Sequence, residues 1–275
     1  MRVAQAKRAI GWALLVISCV ALVLFGCGFV AALQSPSPAP GPPSTPWFVF
    51  ESGFENGLAG WTGQNKRGAD FVIISDPTGS GMGKVMKAFI VNPPPPLLPE
   101  DFPYITRRAY PNIWFSLKPL PCSMQEDVWV SRELYEQVMR RGNWYSLLSF
   151  FDSDPRRDRK GHVAVTTGLG DDGVLYLNIK DEKGDSFDFP PPLPNAPRLT
   201  PQEWHTVKIV VGADGRITLS QDNLEVSVGQ LHPMTRRGLV GGHGGLYVGH
   251  DIRSSDPDYT GGFILTDNFR IACWR

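Results

Sequence analysis

The sequence has no excess of charge of either sign, because 27 Lys and Arg residues balance 27 Asp and Glu residues. Adjacent arginines such as Arg107-Arg108 look basic locally, yet acidic residues are just as frequent along the chain. A nucleic-acid-binding protein normally carries a net basic face. The balance of charge therefore argues against nucleic acid as a partner.

Two common catalytic motifs are also missing. The chain contains no Gly-x-Ser-x-Gly, which marks the nucleophile elbow of α/β hydrolases, and no phosphate-binding loop ending in Gly-Lys-Ser/Thr. His243, His250 and Asp251 lie among paired glycines, but their spacing matches no compact zinc motif. We interpret these three as loop or hairpin residues and not as a metal site.

The longest apolar run lies at the N terminus. Two basic residues precede an uncharged stretch from Ile10 to Leu33, which is long enough to cross a bilayer, since a span needs ~20 apolar residues. Residues 1–33 are predicted to be a retained signal anchor or a signal peptide cut after Ala32, with lipidation at Cys27 as a third alternative. Each alternative places the rest of the chain outside the cytoplasmic membrane, either anchored by a single span or secreted.

A proline-rich segment, residues 34–46, follows the apolar run. Such chain is extended by ~3.1 Å per residue, so this linker spans roughly 40 Å and would hold a domain away from the membrane. The remaining residues, 47–275, are predicted to form one large all-β domain. The 29 Gly and 25 Pro of the sequence suit a fold of short strands joined by many turns.

Cysteine is scarce, with four in the whole chain. Cys19 and Cys27 fall in the apolar run, which leaves Cys122 and Cys273 in the exported part. An even pair in an oxidising compartment predicts a disulfide, here between a mid-chain loop and the last strand. Two separate buried thiols are the alternative.

The clearest strand pattern lies in Glu203–Asp222. Val207, Ile209 and Val211 alternate with more polar neighbours, as in a half-buried strand, and the turn Gly-Ala-Asp-Gly follows directly. Ser131–Met139 breaks the strand pattern and is predicted to form one short helix at the edge of the fold, with Ser131 as its N-cap.

A family resemblance rests on the segment Phe50–Glu55, the pair Gly60-Trp61, the hairpin above and the run Gly261–Ile271. Together they resemble the concanavalin A-like lectin/glucanase superfamily, which includes laminin G-like domains, sugar-binding modules and some polysaccharide lyases. The resemblance implies an all-β, two-sheet antiparallel jelly-roll sandwich. Because that fold carries both binders and enzymes, it does not decide the function.

The resemblance also implies a metal. In several such families a Glu of the opening strand and an Asp of the closing strand hold a structural calcium ion. The matching carboxylates here are Glu51 or Glu55 and Asp267, with ordinary surface carboxylates as the alternative. No other cofactor is expected.

A candidate glycan-binding surface lies on the middle strands. Leu175, Leu177 and Ile179 are expected to face the core, so the side chains between them point the opposite way. A surface of this parity presents aromatic rings for stacking and polar groups for hydrogen bonds to sugars. Its predicted members are Trp144, His162, Tyr176, Asn178 and Lys180. The alternative is a solvated outer sheet face without a ligand.

The catalytic alternatives differ in the residues they need. Retaining glucanases of this fold carry closely spaced acids such as Glu-x-Asp-x-x-Glu, and the chain has no such run. A polysaccharide lyase needs a base to remove the proton beside a uronate carboxyl and a cation to neutralise it, for which Tyr176, His162, Lys180 and Arg107 are candidates. The sequence favours non-catalytic glycan binding. A lyase acting on a uronate-containing glycan, or a structural or protein-binding surface domain, remains as the alternative.

Overall fold

The computed structural model describes residues 45–92, 103–152, 162–170, 172–180, 187–232 and 238–275. The predicted signal anchor or signal peptide, 1–33, and nearly all of the linker, 34–46, lie outside these ranges. Within them, no helix combines the length and apolar character that a membrane span requires.

The described chain forms two eight-stranded sheets and one short helix, which confirms the predicted all-β, two-sheet antiparallel sandwich. The first sheet contains β1 (Phe48–Ser52), β3 (Ala69–Ser75), β4 (Lys84–Ile90), β6 (Cys122–Val130), β11 (Trp204–Val211), β12 (Arg216–Gln221), β13 (Leu224–Gln230) and β16 (Phe263–Cys273). The second contains β2 (Gly63–Arg67), β5 (Tyr104–Lys118), β7 (Asn143–Asp152), β8 (His162–Leu169), β9 (Leu175–Lys180), β10 (Phe187–Asp188), β14 (Leu239–His243) and β15 (Leu246–Asp251).

The first sheet has the strand order β13-β12-β11-β6-β16-β4-β3, and β1 pairs with the second half of β16. Strand β11 shows why these residues form a sheet: Val207, Ile209 and Val211 are fully buried, while the residues between them are partly exposed. Gly215 closes the predicted hairpin with a φ of 81°, in the left-handed region that favours glycine.

The predicted helix is α1 (Arg132–Val138). The Ser131 hydroxyl accepts a hydrogen bond from the Leu134 N–H at 3.2 Å, as an N-cap does, and Leu134 and Val138 are fully buried. The N-cap serine and the two apolar residues four positions apart, Leu134 and Val138, therefore predicted this helix correctly.

Strand β5 is longer than the sequence indicates. Pro111 suggests a division into two strands, Tyr104–Tyr110 and Asn112–Lys118, because proline lacks a backbone donor. In the structure β5 continues through Pro111, which pairs with Gln64 of β2. On the side of β5 that pairs with β14 and β15, the paired residues stop at Ala109 and resume at Asn112. Pro111 therefore needs no backbone N–H donor on that side.

Strands β14 and β15 lie end to end between β5 and β7 in the second sheet. Gly244 and Gly245 separate them, and Gly245 has a φ of 123°. Relative to β7 the pairing moves from His243 with Ser149 to Tyr247 with Ser146, so one extra residue is accommodated at this point. We call this interruption the β14–β15 break.

Cys122 and Cys273 form a disulfide with a Cα–Cα distance of 4.1 Å. The two residues are also register partners of β6 and β16 in the middle of the first sheet. The linkage therefore fixes the last strand to a central strand, and Cys122 opens a strand where a loop was expected.

Candidate functional site

The middle strands divide their side chains between the two faces of the second sheet. Leu175, Leu177 and Ile179 of β9 are buried in the core, as predicted. Tyr176 and Lys180, which alternate with them, are partly exposed on the opposite side. We call the side of the second sheet that points away from the first sheet the outer face.

Strand register shows which other residues share the outer face. Tyr176 pairs with Gly168, which pairs in turn with Ser146 of β7, and Trp144 has the same parity as Ser146. Of the predicted ligand-binding residues, Trp144, Tyr176, Asn178 and Lys180 thus lie on one face. His162 begins β8, but its side chain lies outside the described residues.

The alternation of β7 is regular only up to Ser146. Simple alternation would place Leu148 on the same face as Trp144, whereas Leu147 and Leu148 are both fully buried. The register shifts between Ser146 and Ser149, so an irregularity of the strand turns two successive leucines into the core.

Arg107, a candidate for neutralising the uronate carboxyl in a lyase, does not lie on the outer face. It pairs with the core residue Val248, is 3% exposed, and makes an ion pair with Asp258 at 2.6 Å. Its neighbour Arg108 pairs with Tyr247 and therefore points to the outer face. Arg108 is therefore the member of this arginine pair that shares the outer face with Tyr176.

The outer face also holds a cluster that the sequence analysis missed, formed by Arg108, Tyr110, His243 and Tyr247. The rings of Tyr110 and His243 stack with centroids 3.8 Å apart, and the Arg108 guanidinium lies 4.9 Å from the centre of the Tyr247 ring. We call this group the Arg108 cluster. It sits at the β14–β15 break, because His243 ends β14 and Tyr247 belongs to β15.

His243 and His250 were expected in a loop or hairpin, and this expectation is wrong. The glycines around them belong to strands, so the Gly-rich composition concealed the alternation His243, Gly245, Tyr247, Gly249 that could have revealed a sheet face. His250 faces the core side, where its Nδ1 lies 2.6 Å from Oδ1 of Asn143.

Burial controls the ionisation of this face. It lowers the pKa of His243 to about 3, with a further contribution from the positive charge of Arg108. His243 is therefore uncharged at neutral pH. Burial also raises the pKa of Tyr176 to about 12, although a hydrogen bond from Asn178 opposes the shift. Tyr176 is therefore protonated at neutral pH, so almost no phenolate is available to act as a base.

Several buried polar atoms on the outer face have no hydrogen-bond partner among the described residues. Buried polar groups in proteins are normally paired, so such atoms point to a ligand or to water. They are Nε of Arg108, Oδ1 of Asn112, Oδ1 of Asn178 and Nδ1 of His243.

Two aromatic rings of the outer face lie over glycines of neighbouring strands. A Cβ atom at Gly249 would collide with the indole of Trp144, and one at Gly168 would collide with the ring and hydroxyl of Tyr176. The missing side chains therefore let both rings lie across the sheet instead of standing away from it. Both side chains are partly exposed on the outer face.

Three described residues of the outer face, Arg67, Arg108 and Lys180, carry a positive charge. Arg67 pairs with Arg108 across β2 and β5, and Lys180 lies at the end of β9. Asp251, at the end of β15, is neutralised by Arg253 through an ion pair of 2.7 Å. The face is thus suited to an anionic ligand.

The expected calcium ligands are only partly brought together. Glu51 makes an ion pair with Arg270 at 2.6 Å. Asp267 is 2% exposed, and its Oδ1 has no partner among the described residues. Burial, together with the nearby carboxylates of Asp127, Glu55 and Asp76, raises the pKa of Asp267 to about 6. No group of three or more His, Cys, Asp or Glu side chains in the described ranges is placed to hold a metal ion.

Comparison with known proteins was made at the levels of sequence and structure. No protein-family model matches the sequence, and no curated protein matches it. Among solved structures, an endo-β-1,4-glucuronan lyase from the fungus Trichoderma reesei superimposes with a TM-score of 0.57 at 13% identity, covering 83% of this chain and 96% of the lyase. The cellulose-induced protein Cip1 gives a TM-score of 0.54 at 12% identity, covering 81% of this chain and 96% of Cip1.

The fold is the concanavalin A-like jelly roll. At these identities the likeness establishes the concanavalin A-like fold alone, and it transfers no residue role to this chain.

Proposed function

We propose that this protein binds an acidic glycan on the outer face of its second sheet without catalysing a reaction on it. The observation that carries the proposal is that Trp144 and Tyr176 lie across Gly249 and Gly168 beside unpartnered polar atoms. Sugars bind proteins by stacking on aromatic rings and by a few fixed hydrogen bonds. The outer face supplies both.

The basic residues support an acidic glycan over a neutral one. A guanidinium binds a carboxylate through charge-assisted hydrogen bonds, and Nε of Arg108 has no partner among the described residues. The fold is shared with an enzyme named as a glucuronan lyase, whose name specifies an acidic polysaccharide. Oligosaccharides of glucuronic acid are therefore the first ligands to test.

The compartment belongs to the same proposal. Residues 1–33 would direct the chain out of the cytoplasm as an anchor or a cleaved signal, and residues 34–46 would separate the domain from the membrane. The disulfide between Cys122 and Cys273 supports an oxidising compartment. A glycan of the cell surface or its surroundings would be the natural partner in that location.

Calorimetric titration with glucuronan and cellulose oligosaccharides of equal length tests the proposal. We expect binding of the acidic series, weakened roughly tenfold by Arg108→Gln, because a hydrogen bond to a charged group is lost. Arg270→Gln, on the first sheet, is the matched control and should leave the affinity unchanged. Absence of binding to every oligosaccharide, or equal losses in both variants, would favour a structural or protein-binding surface domain instead.

The Arg108 cluster supports a second candidate, a lyase acting on a uronate-containing glycan. Arg108 can neutralise the uronate carboxylate and the Tyr247 hydroxyl can donate a proton to the leaving oxygen, whereas His243, whose pKa is lowered to about 3, is a weak base. Arg108 takes the role predicted for Arg107, which is paired with Asp258, and the raised pKa of Tyr176 keeps that residue protonated at neutral pH.

The ultraviolet absorbance of the unsaturated product distinguishes a lyase from a binder. A lyase would release such product from glucuronan, alginate or pectate, and Arg108→Gln would abolish the release. Binding of the oligosaccharides without any absorbance change would exclude the lyase function and support non-catalytic binding.

A further inference from the structure

Glu126 is a buried carboxyl that the proposed glycan site does not contact. It belongs to β6 in the first sheet, is 1% exposed, and lies on the core-facing side of the strand between Met124 and Val128, which are both fully buried. A polar group in such a place costs stability unless it makes a compensating hydrogen bond. Burial accordingly raises its pKa well above the usual range.

The partner of Glu126 lies in the opposite sheet. The N–H of Gly245, at the β14–β15 break, faces the Glu126 carboxyl and, as a hydrogen-bond donor, opposes the rise of its pKa. Oε2 of Glu126 packs against the backbone at Gly244, and Oε1 has no partner among the described residues. The contact therefore crosses the core from the first sheet to the second.

The carbonyl of Gly245 is held from the same side. It accepts a hydrogen bond from the Tyr145 hydroxyl at 3.3 Å, and Tyr145 is fully buried. Buried backbone groups that leave a β-ladder must find other partners. Glu126 and Tyr145 supply those partners for both polar groups of Gly245.

The neighbouring glycine leaves no space for an alternative arrangement. A Cβ atom at Gly244 would collide with Oε2 of Glu126 and would come within 2.9 Å of the Phe269 ring. Gly245 has a φ of 123°, which other residues rarely adopt. The geometry of the break thus depends on the carboxyl that packs against it.

His243 and Tyr247, the outer-face residues nearest the break on its two sides, both belong to the Arg108 cluster. We infer that Glu126 is a positioning residue, which holds the Gly245 peptide through the core and thereby sets His243 and Tyr247 against Arg108 and Tyr110 on the outer face. This inference rests on the proposed glycan site for its functional meaning, but the positioning itself is independent of any ligand.

Two variants of Glu126 distinguish the effect of its hydrogen-bond acceptor from the effect of its side-chain volume. Glu126→Gln retains an oxygen acceptor of the same reach, whereas Glu126→Leu fills the core but leaves the Gly245 N–H without a partner. Val207→Ala is the matched control, because Val207 pairs with Glu126 across β11 and β6 and makes a cavity in the same core. It should lower stability without touching the break.

Nuclear magnetic resonance of the full chain measures the chemical shifts of the Gly245 amide and of the His243 imidazole nitrogens. These shifts depend on the positions of the two groups. We expect Glu126→Leu to shift both sets of resonances, Glu126→Gln to restore the His243 signals, and Val207→Ala to leave both near their original values. Unchanged signals in Glu126→Leu, or equal shifts in Val207→Ala, would overturn the inference.

Titration with a glucuronan tetrasaccharide then adds the functional measurement. Glu126→Leu should weaken binding about tenfold, and Glu126→Gln should bind within about twofold of the unaltered protein. If the unaltered protein does not bind the tetrasaccharide, the proposed function fails for this ligand while the resonance shifts still decide the positioning. Weakening by Glu126→Gln as severe as by Glu126→Leu would contradict a role through the acceptor oxygen.

Discussion

Trp144 and Tyr176 contribute ring faces that a glycan can cover, because each ring lies over a glycine of the next strand. Replacing either by alanine should weaken binding of glucuronan oligosaccharides by about 3- to 10-fold, since an aromatic contact contributes about 0.5–1.5 kcal/mol beyond its area. Both side chains are only partly buried, so the domain should remain folded. Calorimetric titration and circular dichroism measure the two effects.

Trp129→Ala is the control for the two ring substitutions. Trp129 stacks on Phe263 in the first sheet, with ring centroids 5.5 Å apart, and faces away from the core. Its removal should leave the affinity unchanged. Undiminished binding in both Trp144→Ala and Tyr176→Ala would place the site elsewhere on the molecule.

Asp267 predicts a dependence of stability on pH. Its pKa is raised from an ordinary value near 3.8 to about 6, chiefly by burial. Because the native carboxyl holds its proton more tightly than the unfolded one, the free energy of unfolding falls as pH rises from about 4 to about 6, and then levels off. The loss is about 2–3 kcal/mol for this group. Denaturant unfolding of the protein and of Asp267→Asn at pH 4.5 and 7.5 measures it, because the variant lacks this decline.

The same two proteins test the proposed calcium site. Bound calcium favours the ionised carboxylate, so it should restore the lost stability of the unaltered protein at pH 7.5 and have no effect on Asp267→Asn. Glu55, whose carboxylate contributes to the raised pKa, is the second expected ligand, and six to eight oxygens would require backbone carbonyls or water as well. Identical unfolding curves with calcium and with a chelator would show that Glu55 and Asp267 do not hold a structural calcium ion.

At the scale of elements, the sequence predicted most reliably where one physical signal dominated. The hairpin around Gly215 combines strict alternation with turn glycines, and α1 combines an N-cap serine with apolar residues four apart. Both signals are local, so the rest of the fold need not be known. The core side of β9 followed from alternation in the same way, because Leu175, Leu177 and Ile179 leave one consistent assignment.

Prediction failed where a strand departs from regular pairing. The irregularity of β7 buries Leu147 and Leu148 together, and the β14–β15 break hides the parity of His243 and Tyr247 among glycines. Such irregularities depend on the partner strands and on core groups such as Glu126, which a local pattern does not contain. Strand parity therefore predicted Trp144, Tyr176, Asn178 and Lys180 on one face, whereas the pairing that joins Arg108 and Tyr110 to His243 and Tyr247 depends on the tertiary fold.

At the scale of the whole molecule, the sandwich brings distant parts of the chain into one sheet. Cys122 and Cys273 are 151 residues apart in sequence and are adjacent in register. A disulfide that closes a loop of this length restricts the unfolded chain strongly, by about 5 kcal/mol in the chain-entropy model. Measured losses on removing a native disulfide are about 2–5 kcal/mol. The double variant Cys122→Ala, Cys273→Ala should lose stability within that range, since both side chains are fully buried.

Unfolding in denaturant with and without reductant distinguishes the cross-link from the packing of the two side chains. Reductant should lower the unfolding midpoint of the unaltered protein towards that of the double variant, and the double variant itself should not respond. If the midpoint of the unaltered protein is insensitive to reductant under denaturing conditions, Cys122 and Cys273 are separate thiols. The argument for an oxidising compartment would then rest on the N-terminal apolar run alone, because the linkage between β6 and β16 is the part of the described fold that requires such a compartment.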